Sequence, residues 1–381
     1  MYRVLNLSKI IFRSLYIPQR FNIRKMPLEE KKENAGKDFP EIQEENLEGE
    51  STVLPFDIPD FKTLLKKQGY ALAGRHSAVK TCLWLRHAMN DQGFCYKSKF
   101  YGVQSHRCLQ MTPTLMCNQR CLFCWRPTEV PVPAPEEWDS PEKIVEESIV
   151  CQRKLITGFG GSPNALKERW LEGNEPNNVA ISLSGEPTFY PYLPELIEEY
   201  KKRGFTTFLV TNGTVPDMLA KVSPSQLYMS LDAPDLETYL KVCQPRSPVL
   251  WEKINESLSL MKQKESRTVI RTTLVKGENL FKPEAYARLM EKASPDFVEI
   301  KAYMHLGFSR LRLDRSAMPT HEEVLEFSKE LAKHLEYEIA DESEISRVVL
   351  LSKDGKKSPV NRNKSPVNKN KSSVKKVLYL D

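Results

Sequence analysis

Eight cysteines occur in this 381-residue chain, and three of them, Cys117, Cys121 and Cys124, fall inside the stretch TPTLMCNQRCLFCWRPTE at positions 112–129. Thiolates this close can converge on one soft metal centre, and three of them leave a four-iron cluster with one iron lacking a protein ligand. A structural zinc site would take four protein ligands, and the next Cys or His after Cys124 is Cys151. Three further cysteines, Cys82, Cys95 and Cys108, lie upstream at equal intervals. Read alone, they fit buried structural thiols as well as ligands, because free cysteine is a common core residue. Lys97 follows Cys95 by two positions. Taken alone, a lysine among Lys80, Lys97 and Lys99 is more often an ordinary solvated residue.

Such side chains need a frame. From about residue 112 onward, β-rich runs alternate with helical patterns: TPTLM, NVAISLS, FTTFLVTN, QLYMSLD, RTVIRTTLV and FVEIKAYM are candidate strands. Helical segments fall between them at 142–157, 191–204, 251–266 and 283–293. Six such units predict an α/β fold, a partial (β/α)6 TIM-like barrel rather than a closed eight-fold one. A barrel presents its site just beyond the strand ends. Gly185, Glu186 and Pro187 follow the second strand, Asn212 ends the third, and Ser230 and Asp232 end the fourth. Each alone has a turn or capping explanation; together and in order they outline a rim. A helix is expected over 321–338, started by a Thr320/Glu323 capping box and carrying Val324, Phe327, Leu331 and Leu335 on one face. SRVVLLS (346–352) and KKVLYLD (375–381) are expected to pair as a C-terminal β-hairpin.

The resulting organisation is a tail and acidic linker over 1–59, a cysteine-containing N-terminal extension over 60–111, the barrel over 112–340, and the hairpin over 341–381 with a basic low-complexity loop at 355–376. The net charge of +6 is modest but unevenly placed: residues 28–50 are strongly acidic, and 355–376 carry basic side chains and no acid. The basic loop reads either as a solvated insertion or as an arm for a nucleic-acid backbone. No apolar run approaches the roughly 18 residues of a membrane span. Residues 1–27 hold arginines and no acid, which suits either a transit peptide or an over-extended start before Met26. A cytoplasmic location is expected, where clustered cysteines mean metal or redox chemistry.

The CxxxCxxC spacing at the end of a strand that opens a run of βα units resembles the radical S-adenosylmethionine (SAM) superfamily. That resemblance implies a [4Fe-4S] cluster on Cys117, Cys121 and Cys124, whose open iron chelates the amino and carboxylate groups of S-adenosylmethionine. It also implies a 5'-deoxyadenosyl radical formed by one-electron cleavage. Gly185, Glu186 and Pro187 look like a variant of the superfamily's GGEP motif, and Asn212, Ser230 and Asp232 stand where its other cofactor contacts fall. Over RHSAVKTCLWLRHAMNDQGFCYKSKFYGVQSHRCLQMTPTLMCNQRCLFCWRPTE and on through most of residues 60–352, the chain is similar to the archaeal-type tRNA 4-demethylwyosine synthases. In that family Cys82, Cys95 and Cys108 match the ligands of a second [4Fe-4S] cluster, and Lys97 matches a Schiff-base lysine.

The implied reaction condenses N1-methylguanosine-37 of phenylalanine tRNA with two carbons of pyruvate, giving the tricyclic 4-demethylwyosine. Hydrogen abstraction from the N-methyl group would precede addition to the pyruvate carbonyl carbon, with C1 leaving: a carbon–carbon lyase in the radical SAM class. The anticodon base would be extruded to reach the site; Arg86, Lys97, Lys99, Arg107, Arg126 and the lysine-rich C-terminal loop are candidates for a basic rim, and Arg126 fits a place near the cofactor equally well. An external ferredoxin or flavodoxin is expected as electron donor, because no flavodoxin-like domain fits before residue 60, and a monomer is expected. Cys151 reads as core, Cys243 as a helix-end cysteine with no partner, and His106 as structural or substrate-contacting. Two other readings stand beside this one: a radical SAM enzyme acting on a different RNA or a protein, and a non-catalytic metal-stabilised RNA-binding protein.

Overall fold

The computed structural model describes residues 61–130 and 132–360. The tail and acidic linker over 1–59, most of the basic loop and the strand expected at 375–381 lie outside the described residues.

Short elements come first: α1 (Phe61–Lys67), then β1 (Ala71–Ala73) and β2 (Ser77–Val79), paired antiparallel, then α2 (Leu83–Met89) and α3 (Tyr96–Tyr101). β3 (Cys108–Thr112) opens the parallel series. Its position corrects the sequence expectation, which set the first strand at 112–116. CLQMT has the alternation of a strand, whereas Pro113 lacks the N–H needed to continue a ladder, so TPTLM becomes the loop leading to the cysteines. The barrel's first strand therefore begins inside the segment expected to be an extension.

Helix α4 (Pro141–Ile156), N-capped by Ser140, and α5 (Lys167–Gly173) precede β4 (Asn178–Ile181). The series continues with α6 (Leu193–Lys202), β5 (Thr206–Thr211), α7 (Pro216–Lys221), β6 (Gln226–Ser230), α8 (Leu236–Cys243), α9 (Leu250–Met261), β7 (Arg267–Leu274), α10 (Pro283–Ala293) and β8 (Phe297–Ala302). Strands β3 to β8 pair in parallel in chain order. They form six strands of an open ten-stranded sheet, the predicted partial barrel.

Helix α11 (His321–Leu335) starts with both hydrogen bonds of the Thr320/Glu323 capping box. It ends three residues short of expectation because Glu336 adopts the left-handed conformation and the chain extends into β9 (Glu338–Ser343). The C-terminal hairpin exists with a different partner: β10 (Val348–Ser352) pairs antiparallel with β9 on one side and β8 on the other. Both its edges are thus filled. The polar EIADES pattern of β9, partly exposed throughout, hid it from a reading based on hydrophobic alternation.

The pleat sends alternate side chains to opposite faces. Leu209, Leu227, Met229, Ile270, Val298 and Ile300 join the outer core with the helices. Phe208, Val210, Tyr228, Val269 and Phe297 face the interior, where they pack with Tyr96, Phe100 and Tyr101 of α3. The barrel's concave side is therefore filled by α3, the element that carries Lys97. No helix among the described residues is long and apolar enough to cross a membrane.

Candidate active site

The CxxxCxxC loop is held at the strand ends by contacts remote in sequence. The Arg120 and Leu122 amides donate to the Cys243 and Val242 carbonyls at the end of α8 (3.0 and 2.9 Å). The Arg126 guanidinium donates to the Leu115 and Gln119 carbonyls (3.0 and 3.2 Å). Arg312 reaches across from the segment after β8 to donate to the carbonyls of Leu122 (3.1 Å), Cys124 and Arg126 (3.2 Å), and to pair with Glu129 (2.5 Å). Two guanidiniums thus fix five carbonyls of one loop. Sequence reasoning missed Arg312, since nothing in "RLRLDRS" sets it apart from its neighbours.

All three thiols are half-buried. Burial pushes Cys117 up to about 12. Cys121 is driven well above the usual thiol range by its hydrogen bond with Cys243 and by burial. Cysteine at such positions is no free nucleophile, and it becomes a thiolate when a metal centre offsets the desolvation. The bond between Cys243 and Cys121 also corrects the expectation that Cys243 has no partner: α8 docks under the cysteine loop and brings the two together.

The predicted rim residues gather around this loop. Gly185 has φ +72°, and a Cβ there would lie 2.3 Å from the Thr114 carbonyl oxygen. Only glycine allows that approach. The Glu186 amide donates to the Met116 carbonyl (2.6 Å), next to Cys117. The buried Glu186 carboxylate accepts from the Thr188 amide and hydroxyl, the Thr211 hydroxyl and the Asn212 amide (3.1, 2.7, 2.6 and 2.7 Å). It therefore clamps the loop after β4 to the end of β5. Pro187 begins the short turn that follows. The Asn212 side-chain amide bonds Asn118 (3.0 Å) and lies 3.9 Å from the Cys117 sulfur. Asp232 accepts from the Thr273 amide (2.6 Å), and burial lifts its carboxyl to about 6. Ser230 is half-buried in the interior row, in register with Arg271.

The upstream trio is also brought together. Cys82, Cys95, Cys108 and Lys97 line one cavity with Ser105, Asn178 and Phe208. Cys82 precedes α2, its sulfur accepting from the Leu85 amide (3.3 Å); Cys95 precedes α3; Cys108 starts β3. Burial raises all three thiols, Cys95 to about 11. No group of three Cys, His, Asp or Glu among the described residues is placed to hold a single metal ion.

Lys97 points inward, its ammonium 4.9 Å from the Phe208 ring centre and 4.6 Å from that of Tyr228. Burial lowers its pKa, opposed by Glu299 and Cys95. It is therefore no part of an outer basic rim. Of the other basic candidates, Lys99 pairs with Asp341 (2.7 Å), Arg107 donates to the Glu175 carbonyl (2.9 Å), Arg126 is committed to the cysteine loop, and Arg86 is exposed. His106 is buried against Glu172 (2.5 Å), the structural arrangement of the two considered, and Cys151 packs in the outer core.

A partial barrel with a three-cysteine loop past its first strand defines the radical SAM class, and residues 111–290 match the family described as the radical SAM superfamily. Residues 292–353 match a second family, wyosine base formation. A tRNA 4-demethylwyosine synthase of Pyrococcus abyssi is 54% identical over 300 residues, 76% of this chain and 88% of the relative. The Methanocaldococcus jannaschii relative of the same name is 43% identical, over 77% of this chain and 96% of its own. A solved structure of TYW1 with a lysine-pyruvate adduct bound superposes with a TM-score of 0.73 at 42% identity, covering 80% of this chain and 98% of that one. The chain belongs to the S-adenosyl-L-methionine-dependent tRNA 4-demethylwyosine synthases.

Proposed function

We propose that this protein condenses N1-methylguanosine-37 of tRNA with two carbons of pyruvate to form 4-demethylwyosine, acting as a carbon–carbon lyase with two [4Fe-4S] clusters. The observation that carries this reading is the placement of Lys97 in the same cavity as Cys82, Cys95 and Cys108. Membership of the superfamily brings S-adenosylmethionine and one cluster, held by Cys117, Cys121 and Cys124. When bound and reduced, that pair supplies a 5'-deoxyadenosyl radical.

The protein's own part is position and exclusion of water. Gly185 lets the backbone after β4 approach the cysteine loop, Glu186 locks it to Asn212, and Asp232 and Ser230 complete the strand-end rim around the cofactor. Lys97 attacks the pyruvate ketone carbon through Nζ and expels water, leaving an imine whose carbon faces the barrel interior. The upstream trio holds the second cluster beside it. The anticodon base enters from the strand-end side. An external ferredoxin or flavodoxin supplies the electron, and the protein works in the cytoplasm as a monomer.

Two measurements test this. Anaerobic reconstitution should load twice as much iron in the native chain as in a Cys82→Ala/Cys95→Ala/Cys108→Ala variant; equal iron would remove the second cluster. Lys97→Ala should abolish product formation from pyruvate and methylated tRNA, while leaving S-adenosylmethionine cleavage by dithionite-reduced protein intact. Full product formation by that variant would sink the imine.

A further inference from the structure

The interior row that receives Lys97 holds more positive charge than the described residues neutralise. By strand alternation Arg271 on β7 and Glu299 and Lys301 on β8 face the same side as Val269 and Phe297. Arg271 stands in register with both Ser230 and Glu299, and Lys301 with Thr273. Arg271 shares the Tyr228 ring with Lys97, its guanidinium carbon 5.8 Å from the ring centre. Lys301 places its ammonium 5.2 Å from the centre of the Tyr96 ring, on the residue next to Lys97.

Neither the Arg271 nor the Lys301 side chain makes a direct hydrogen bond or ion pair among the described residues. The carboxylate closest to this group is already occupied: Glu299 accepts from the hydroxyls of Tyr96 (3.0 Å), Tyr101 (2.7 Å) and Tyr228 (3.2 Å). Asp232 is bonded to the Thr273 amide. Glu299 and Asp232 still favour the charged form of Arg271 across space, and Glu299 and Cys95 act in the same sense on Lys97 and Lys301, yet three cations face two carboxylates in one desolvated interior, an excess that a substrate anion would balance. A 2-keto acid condensed on Lys97 brings that anion. Its carboxylate is attached to the imine carbon itself, so it must sit beside Lys97, and Arg271 offers the planar fork that matches a carboxylate.

We propose that Arg271 and Lys301 are the carboxylate-binding residues of the keto-acid site, selecting a 2-keto acid over a neutral ketone and orienting its C1 carboxylate. This rests on the Lys97 imine. Condensation joins Nζ to the ketone carbon and releases the ketone oxygen as water; no electrons are transferred.

The test is reductive trapping on the full-length reconstituted protein, read by intact mass. Cyanoborohydride supplies the hydride, and pyruvate is compared with hydroxyacetone, in which CH2OH replaces the carboxylate. In Arg271→Gln and Lys301→Gln the pyruvate concentration for half-maximal trapping should rise roughly tenfold or more, the loss of one charge-assisted contact. Hydroxyacetone trapping should stay unchanged, and Arg271→Lys should recover part of the pyruvate preference. Equal loss for both ketones, or for neither, overturns the proposal. Loss of S-adenosylmethionine cleavage without pyruvate in these variants also overturns it, assigning the cations to the cofactor. Trapping that persists in Lys97→Ala overturns the lysine assignment itself, a result separable from the other two.

Discussion

At the residue scale, chemistry depends on atoms whose neighbours come from distant parts of the chain. Glu186 reads in the sequence as part of a cofactor-binding motif, yet its side chain spends both oxygens on Thr188, Thr211 and Asn212. What the side chain does is hold the loop after β4 against the end of β5. Glu186→Gln keeps the shape but replaces charge-assisted acceptors, and a calorimetric scan should show a loss of about 2–3 kcal/mol. Gly185→Ala is predicted to be more selective. It strains a left-handed position and drives a methyl into the Thr114 carbonyl, so S-adenosylmethionine affinity should fall about tenfold or more with overall secondary structure retained. Equilibrium dialysis against circular dichroism checks both halves.

At the element scale, the cysteine loop has no regular structure of its own and borrows its shape from α8 and from the segment after β8. Arg312 is the strongest of these ties. Replacing it with Ala leaves three carbonyls without their donor, and the prediction is loss of iron from Cys117, Cys121 and Cys124 with the second cluster proposed for the upstream trio unaffected. With the two proposed clusters, iron analysis of Arg312→Ala should therefore fall to about half of the native loading, whereas Glu129→Gln should lower it less, because Arg312 keeps its contacts to the Leu122, Cys124 and Arg126 carbonyls. Elements also correct a proposed boundary. The basic loop begins as anchored chain: Lys357 pairs with Asp341 (2.7 Å), Arg267 donates to the Ser358 and Pro359 carbonyls, and the Val360 amide donates to Tyr101 (3.1 Å). A deletion that tests tRNA contact by the loop should start at residue 361, so that α3 and Lys97 keep their support.

At the scale of the whole molecule, stability and site are coupled through the β1–β2 hairpin. His76 is buried; its Nε2 accepts from the Asp139 amide (2.8 Å) and its Nδ1 donates to the Pro113 carbonyl (2.6 Å). It thereby ties the hairpin to the start of α4 and to the loop that leads into the cysteines. Burial lowers its pKa below the usual histidine value. The unfolded chain therefore binds this proton first as pH falls, and the stability the neutral ring provides is present above pH 6.5 and lost below it, down through the folded-state pKa. Thermal unfolding should drop more steeply between pH 7 and 5.5 in the native protein than in His76→Gln; parallel curves would remove His76 as the source.

The amino-acid sequence by itself determined the periodic and the local. Hydrophobic alternation gave five of the six parallel strands within a few residues, the Thr320/Glu323 pair gave a helix start, and cysteine spacing gave the strand-end trio its chemistry. These rest on interactions between residues near one another in the chain, where residue type nearly dictates geometry. The tertiary structure decided what spacing cannot express. It folded α3 into the barrel, so that Lys97 became an interior residue facing Phe208 and Tyr228 rather than a surface cation. It also hid β9 behind polar residues, set Cys243 against Cys121, and gathered Arg271 and Lys301 beside Lys97. Each of these depends on contacts across many tens of residues. Their free energy comes from burying one element against another, and nothing in the residues themselves records which partner that will be.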